Sequence, residues 1–314
     1  MNPLRRSILS VPGHRAAMHS KAAAAAADVI MLDLEDSCPA AEKTAAREAV
    51  LQSLQSLSWQ ARSLTLRINA VDSPFALRDL TEIIPRSGGR IETVVVPKVD
   101  SPAAIAFVDY TLRALEQEAG LTDPIGIEAI IESARALRDA DAIAAASPRL
   151  RCLVFGIADY SASINMPLTS HSGHGEGDGI YPGDPLHFVY SRLILSGKAA
   201  GLQVIDAPYG NFRDPEGLAR AAARSRALGF DGKWAIHPAQ LDALNAAFAP
   251  GADEIRRARE VVEAYDTATA AGRGAAAIGG SMIDHASLRM ARDVLDRATR
   301  CASTSAGSDT APEI

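Results

Sequence analysis

The sequence predicts an α/β protein: a (β/α)8 TIM barrel followed by a C-terminal helical extension. Two observations carry that expectation. Short β-rich runs bounded by turn residues recur eight times within about 250 residues, with Ala-rich, helix-like stretches between most of them. The competing fold, a doubly wound sheet, would place a Gly-rich phosphate turn after an early strand, and neither GxGxxG nor GxxxxGK[ST] occurs.

The eight runs are SILSVPG from Ser7, DVIMLDLED from Asp28, SLTLRIN from Ser63, ETVVVPK from Glu92, IGIEAIIE from Ile125, RCLVFG from Arg151, LQVIDAP from Leu202 and DGKWAIHP from Asp231. The intervening segments include HRAAMHSKAAAAAA and EGLARAAARSRALGF. The six-Ala run reads as helix, since Ala is the best helix former. After the sixth strand, TSHSGHGEGDGIYPGDP (Thr169 to Pro185) is a Gly-rich loop longer than connection priors allow without a function. Past His237 the chain turns helical in DEIRRAREVVEAYDTATAAG, then passes a Gly-rich turn, AIGGS, into HASLRMARDVL. The expected division is a barrel over 1–245, a helical extension over 246–300 and a polar, disordered tail over 301–314.

Composition narrows the partners. Lys and Arg total 32 against 38 Asp and Glu, so the net charge of −6 argues against nucleic acid or an anionic membrane surface. A local basic cluster for a small anion remains open. Three cysteines without a CxxC pair argue against a disulfide framework and for a reducing compartment, the cytoplasm. The apolar stretch in MNPLRRSILSVPGHR is short for a signal sequence, and no run approaches the roughly 20 apolar residues of a membrane helix.

In a (β/α)8 barrel the C-terminal strand ends form the active face. The sequence sets Gly13-His14-Arg15, Asp33, Glu35, Asp36, Arg67, Asn69 and Lys98 there, and later Glu132, Asp159, Asp206 and His237. Any one carboxylate at a strand end caps a helix or pairs with a base more often than it does chemistry, and Asp33 and Asp36 fit that role. Glu35 could orient a water or a ligand amide. Glu132 and Asp159 come from adjacent strands, and two acids facing one cavity repel unless a proton or cation lies between them. Hard oxygen donors without a Cys/His cluster favour Mg2+. His171 and His174 in the Gly-rich loop read as surface residues, and neither GxSxG nor HExxH is present.

The motifs PGHR, DVIMLDLEDS, LRIN, VVVPK, IIESA, FGIADYSAS, DAPYGNF and GFDGKWAIHPAQ together resemble the HpcH/HpaI aldolase and citrate lyase β-subunit family, from about Ser7 to Val294. With GSMIDHASLRMA they lean toward its malyl-CoA and β-methylmalyl-CoA lyases. The resemblance implies a Mg2+-dependent TIM barrel, with Mn2+ as an alternative ion and no organic cofactor. Such an enzyme makes or breaks the bond between an acyl-CoA α-carbon and a 2-oxoacid carbonyl. It implies Glu132 and Asp159 as metal ligands and Arg67 as the arginine on the oxoacid. Arg15 and Lys21 match CoA-binding positions, and Ala158, Ile236 and His237 match substrate-lining positions; Glu35 joins the substrate contacts. Asp284 matches a C-terminal acid that reaches the site of an adjacent subunit, hence a homo-oligomer, trimer or hexamer. Alternatives are a citramalyl-CoA lyase releasing pyruvate, a malyl-CoA thioesterase, or a citrate lyase β-type subunit of a larger complex.

Overall fold

Parallel pairing closes on itself. Strand β1 (Ser7–Pro12) bonds on one side to β2 (Val29–Asp33) and on the other to β8 (Gly232–Ala235). Between them β3 (Ser63–Arg67), β4 (Thr93–Val96), β5 (Gly126–Ile131), β6 (Leu150–Phe155) and β7 (Gln203–Asp206) follow in sequence order, completing an eight-stranded barrel. The computed structural model describes residues 3–166 and 184–305. Seven of the eight strands fall within the runs expected from sequence, and β6 begins one residue earlier, at Leu150. The His-containing part of the Gly-rich loop lies outside the described residues, so His171 and His174 are not placed.

The strands β2, β4 and β5 are buried at every position, as expected of a parallel sheet covered by helices. Alternation sorts their side chains into two layers. Val29 and Met31 of β2 and Cys152 and Val154 of β6 join Ile8, Val95, Ile130, Ile205 and Trp234 in one inner cluster. Burying each such aliphatic side chain contributes about 1.5–3 kcal/mol. The same alternation carried one step further gives Asp33 after Met31 and Glu132 after Ile130, so the apolar interior ends in acid.

At its other end the interior closes on a buried ion pair. Arg5 Nη1 lies 2.7 Å from Glu128 Oε1, with both side chains 1% exposed. Thr93 Oγ1 donates to the same oxygen at 2.5 Å, and Glu92 stands 3.4 Å from Arg5 Nη2.

Two sequence expectations need correction here. Asp206 does not belong to the polar rim. Its carboxylate is fully buried, accepting from Lys233 Nζ and from Ser225 Oγ of helix Pro215–Leu228, each at 2.5 Å, so it ties the barrel to its helical layer. The six-Ala run is not helical throughout: its helix, Ala16–Ala23, stops after two of the six. Gln60 N donates to Ala23 O at 2.8 Å and Asn245 Nδ2 to Ala26 O at 2.7 Å, so tertiary donors take carbonyls that a longer helix would use. The AIGGS turn is a tight hairpin. Antiparallel β9 (Ala276–Ile278) and β10 (Ser281–Ile283) flank Gly279 and Gly280, both at positive φ, +55° and +83°, as a two-residue hairpin turn of this hand requires.

The chain divides into two compact units, 1–245 and 246–314. In the second, helices Ala252–Ala270 and His285–Ser305 pack around Ala258, Ala268, Leu288 and Ala291. The last helix runs through Ser305, into the segment expected to be a tail; residues 306–314 lie outside the described residues. Among the described residues no helix is long and apolar enough to cross a membrane.

The Arg5–Glu128 pair yields a stability prediction. Glu128→Ala leaves a buried guanidinium facing only the half-exposed Glu92, and should cost about 3–5 kcal/mol. Replacing both partners with apolar residues of similar volume should recover most of that loss. Urea unfolding of the single and double variants measures both; a Glu128→Ala protein as stable as wild type would show that the pair does not hold the barrel end.

Candidate active site

The β2/β3 register sets Asp33 directly beside Arg67. Arg67 donates through Nε to Asp33 Oδ1 and through Nη2 to Asp33 Oδ2, both at 2.6 Å. This two-point clamp fixes the guanidinium plane. The main-chain N–H of Glu35 donates to Asp33 Oδ1 at 2.8 Å, and Ser37 Oγ donates to Oδ2. Burial opposes ionisation of Asp33, but Arg67 outweighs it and keeps the carboxyl below its ordinary range. On the other face of the clamp the ring of Trp234 lies 5.6 Å from the Arg67 guanidinium carbon.

Glu35 continues the cluster. Its Oε2 lies 3.0 Å from Arg67 Nη1, and its Oε1 accepts from Lys98 Nζ at 2.7 Å. Lys98 Nζ also reaches Asp36 Oδ1 at 3.4 Å. Buried Glu35 Oε2 takes no hydrogen bond of its own. Burial lifts the Glu35 carboxyl above its usual range, and Arg67 and Lys98 offset only part of the rise.

Glu132, just past β5, stands at the same end of the barrel. Its Oε1 accepts the main-chain N–H of Lys98 at 2.6 Å, and among the described residues no basic side chain forms an ion pair with it. Gly156, which follows β6, makes room for it: a Cβ there would collide with Glu132 Cβ and Oε2. Burial first, then the negative charges of Asp159 and Glu35, pushes the Glu132 carboxyl up to about 8. Asp159 is partly exposed in the first turn of helix Ile157–Ser163, with Ala158 exposed beside it.

These donors fit a Mg2+ ion. A buried carboxylate without a cationic side chain, next to a second acid, is the electrostatic setting a divalent cation relieves. Among the described residues no group of three His, Cys, Asp or Glu side chains forms a ready-made cage. Mg2+ needs none, since it commonly keeps several waters and takes one or two carboxylates.

Arg15, Lys21, Ile236 and His237 are more exposed than Asp33, Glu35 and Glu132. Arg15 and Lys21 are exposed at the start and in the last turn of helix Ala16–Ala23, with Arg15 Nε 3.0 Å from His14 Nε2. Ile236 is 44% exposed, and His237 stacks on Phe212 with ring centroids 4.7 Å apart. Asn69 is turned away, its N and Nδ2 both donating to Asp79 Oδ2. In the second unit, Asp284 Oδ1 accepts from Ser287 N at 2.9 Å and Ser287 Oγ at 3.1 Å, the geometry of a helix N-cap. Those donors lower its carboxyl below the usual range.

Sequence reasoning missed Gln240, Phe212 and Trp234. Gln240 Oε1 accepts from Ile236 N at 2.9 Å, while its Nε2 donates to Tyr209 O at 2.7 Å, so one amide side chain ties the segment after β8 to the segment after β7. Its place three residues after His237, beside Pro238, was the available signal. Nothing local marks Phe212 or Trp234.

Residues 6–238 match the HpcH/HpaI aldolase/citrate lyase family. The chain is 38% identical over 293 residues to the L-malyl-CoA/β-methylmalyl-CoA lyase of Cereibacter sphaeroides, covering 91% of this chain and 92% of that one. It is 35% identical to the citrate lyase subunit β of Haemophilus influenzae, covering 94% and 97%. Among solved structures, the protein CitE from Mycobacterium tuberculosis, in complex with magnesium, acetoacetate and coenzyme A, superposes with a TM-score of 0.73 at 31% identity, covering 95% and 98%. The closed barrel, its acidic and basic strand ends and these end-to-end similarities lead to one conclusion: the chain belongs to the HpcH/HpaI aldolase/citrate lyase family.

Proposed function

We propose that this protein is a Mg2+-dependent CoA-ester C–C lyase that reversibly cleaves (S)-malyl-CoA or β-methylmalyl-CoA to acetyl-CoA or propionyl-CoA and glyoxylate. One observation carries the reading: the fixed guanidinium of Arg67 and the cation-poor acid Glu132 converge at one barrel end, in a chain aligned nearly end to end with lyases of those substrates.

Glu132 and Asp159 would hold the ion; bound there, Mg2+ supplies Lewis-acid stabilisation of the hydroxyl oxygen that becomes a carbonyl. The protein's own groups do the rest. A guanidinium has five N–H donors; the hydrogen bonds to Asp33 engage two and Glu35 adds an ion pair at 3.0 Å, leaving Nη1 donors for the oxoacid or the thioester oxygen. When the C–C bond breaks, its electron pair passes to the thioester fragment as an enolate, whose oxygen a fixed cation stabilises without reorganisation. Asp33 and Trp234 hold that cation in plane. Arg15 and Lys21, exposed and basic, suit the phosphates of CoA, and Ala158, Ile236 and His237 line the acyl end. Protonation of the enolate carbon, or proton removal in the condensing direction, falls to Asp284 of a neighbouring subunit in a homo-oligomer. Held ionised by Ser287, Asp284 begins as a base: it removes the α-proton in condensation, and in cleavage it takes up the proton the hydroxyl releases before delivering one to the enolate carbon.

The direct test incubates purified protein with Mg2+, acetyl-CoA and either glyoxylate or pyruvate, and identifies thioester products by mass spectrometry. Malyl-CoA is expected with glyoxylate. Citramalyl-CoA instead would transfer the assignment to a pyruvate-releasing lyase, and free CoA with malate would point to a thioesterase. Glu132→Ala and Asp159→Ala should each abolish turnover and its Mg2+ dependence; near-normal turnover at low Mg2+ in either would remove that residue from the metal site.

The raised carboxyl of Glu132 sets a pH dependence for metal-free protein. Between about pH 4.5 and about 8 the folded chain keeps a proton that the unfolded chain releases, so stability falls as pH rises through that window. Glu132→Gln cannot titrate. In EDTA the variant should melt several degrees above wild type at pH 8, with the difference shrinking toward pH 5. Parallel melting curves at all pH values would contradict the raised acidity.

Supply of Asp284 by a neighbour is tested by mixing. Inactive Asp284→Ala subunits combined with inactive Glu132→Ala subunits, under conditions that allow exchange, should regain activity because some sites then contain both wild-type groups. No recovery despite demonstrated exchange would assign Asp284 to its own subunit, and a fully active Asp284→Ala protein would end its catalytic role.

A further inference from the structure

Lys98 stands apart in its backbone. Among the described residues only Lys98 and Asn165 combine a side chain with positive φ, +52° at Lys98. Asn visits the left-handed region readily because its short amide bonds locally, whereas Lys gains nothing local from it. Such a conformation persists only where the surroundings over-determine it, and it clusters at functional sites. Here three contacts meet on one residue. Its main-chain N–H donates to Glu132 Oε1 at 2.6 Å, its Nζ donates to Glu35 Oε1 at 2.7 Å, and the same Nζ stands 3.4 Å from Asp36 Oδ1. The left-handed turn lets a single residue show its amide to one acid and its ammonium to two others.

We propose that Lys98 is a positioning residue for Glu132: Glu35 and Asp36 grip its ammonium, the grip holds the left-handed turn, and the turn's amide fixes the Glu132 carboxylate for a divalent cation. The inference rests on the metal-ligand reading of Glu132 and adds the device that sets its geometry.

Two physical effects oppose each other, which makes the inference sharp. A lysine ammonium beside a cation site repels the cation, so if charge alone mattered, removing it would tighten metal binding in every neutral variant. If the turn matters, the outcome depends on the replacement. Lys98→Ala keeps the backbone strain but loses the grip that offsets it, so the turn relaxes and Glu132 loses its donor. Lys98→Gly removes the grip and the strain together, because glycine adopts positive φ freely. Lys98→Arg keeps the grip.

The experiment measures Mn2+ binding to the full-length protein by electron paramagnetic resonance, without substrate, for wild type, the three Lys98 variants and Glu132→Gln. Lys98→Ala should bind Mn2+ roughly tenfold more weakly, the scale of one strained backbone residue. Lys98→Gly should bind at least as tightly as wild type, and Lys98→Arg should match it. If Ala binds as tightly as Gly, or Gly as weakly as Ala, the positioning role is overturned. The comparison does not depend on the Ala variant folding, since a Gly variant weaker than wild type overturns the proposal by itself. Glu132→Gln separates the two layers: unchanged Mn2+ binding there removes the metal reading and this proposal together. Loss of binding there, with indistinguishable Ala and Gly variants, removes the proposal alone.

Discussion

The guanidinium of Arg67 lies between two buried carboxylates, and the rest of the site is arranged around that charge. Taking a guanidinium into an apolar barrel is costly, and the cost is met only when its donors find fixed acceptors. Asp33 supplies two, both at 2.6 Å, and the parallel register of β2 and β3 sets the two residues side by side. Asp33 is itself completely buried, so neither partner could remain charged there without the other. Glu35 then balances the third edge of the guanidinium and passes the network to Lys98.

That network leaves one acid uncompensated. Arg67 and Lys98 are engaged by Asp33, Glu35 and Asp36, while among the described residues Glu132 receives a main-chain N–H and no side-chain cation. A carboxyl so placed either keeps its proton or takes a cation; burial, with the charges of Asp159 and Glu35, pushes it up to about 8. Charges are thus divided by pairing: matched charges build the frame, and Glu132 stands without a paired cation among the described residues. Other buried pairs, among them Arg5 with Glu128, Arg6 with Asp28 and Asp206 with Lys233, are matched. This explains why a count of ionisable residues at strand ends overstates the site.

The sequence determined the barrel because its signal is local. Eight short apolar runs, punctuated by turn residues and separated by helix formers, can bury their side chains on both faces only in a covered parallel sheet, and all eight became strands. It also marked Arg67, Glu132 and Asp159 as polar residues where such strands emerge, and the family resemblance gave them roles that composition could not.

Tertiary structure decided what each polar group faces. Whether Asp206 joins the rim or the helical layer depends on which side of β7 it occupies and on Ser225 and Lys233, distant in sequence. The early end of the six-Ala helix depends on donors from Gln60 and Asn245. Lys98 looked like one more basic strand end, yet its positive φ and its hold on Glu132 arise only when β2, β4 and β5 lie together. Local propensity is fixed by a few neighbouring residues, whereas the partner of a buried charge is fixed by strand register and closure, which bring together residues 34 positions apart, as Lys98 and Glu132 are.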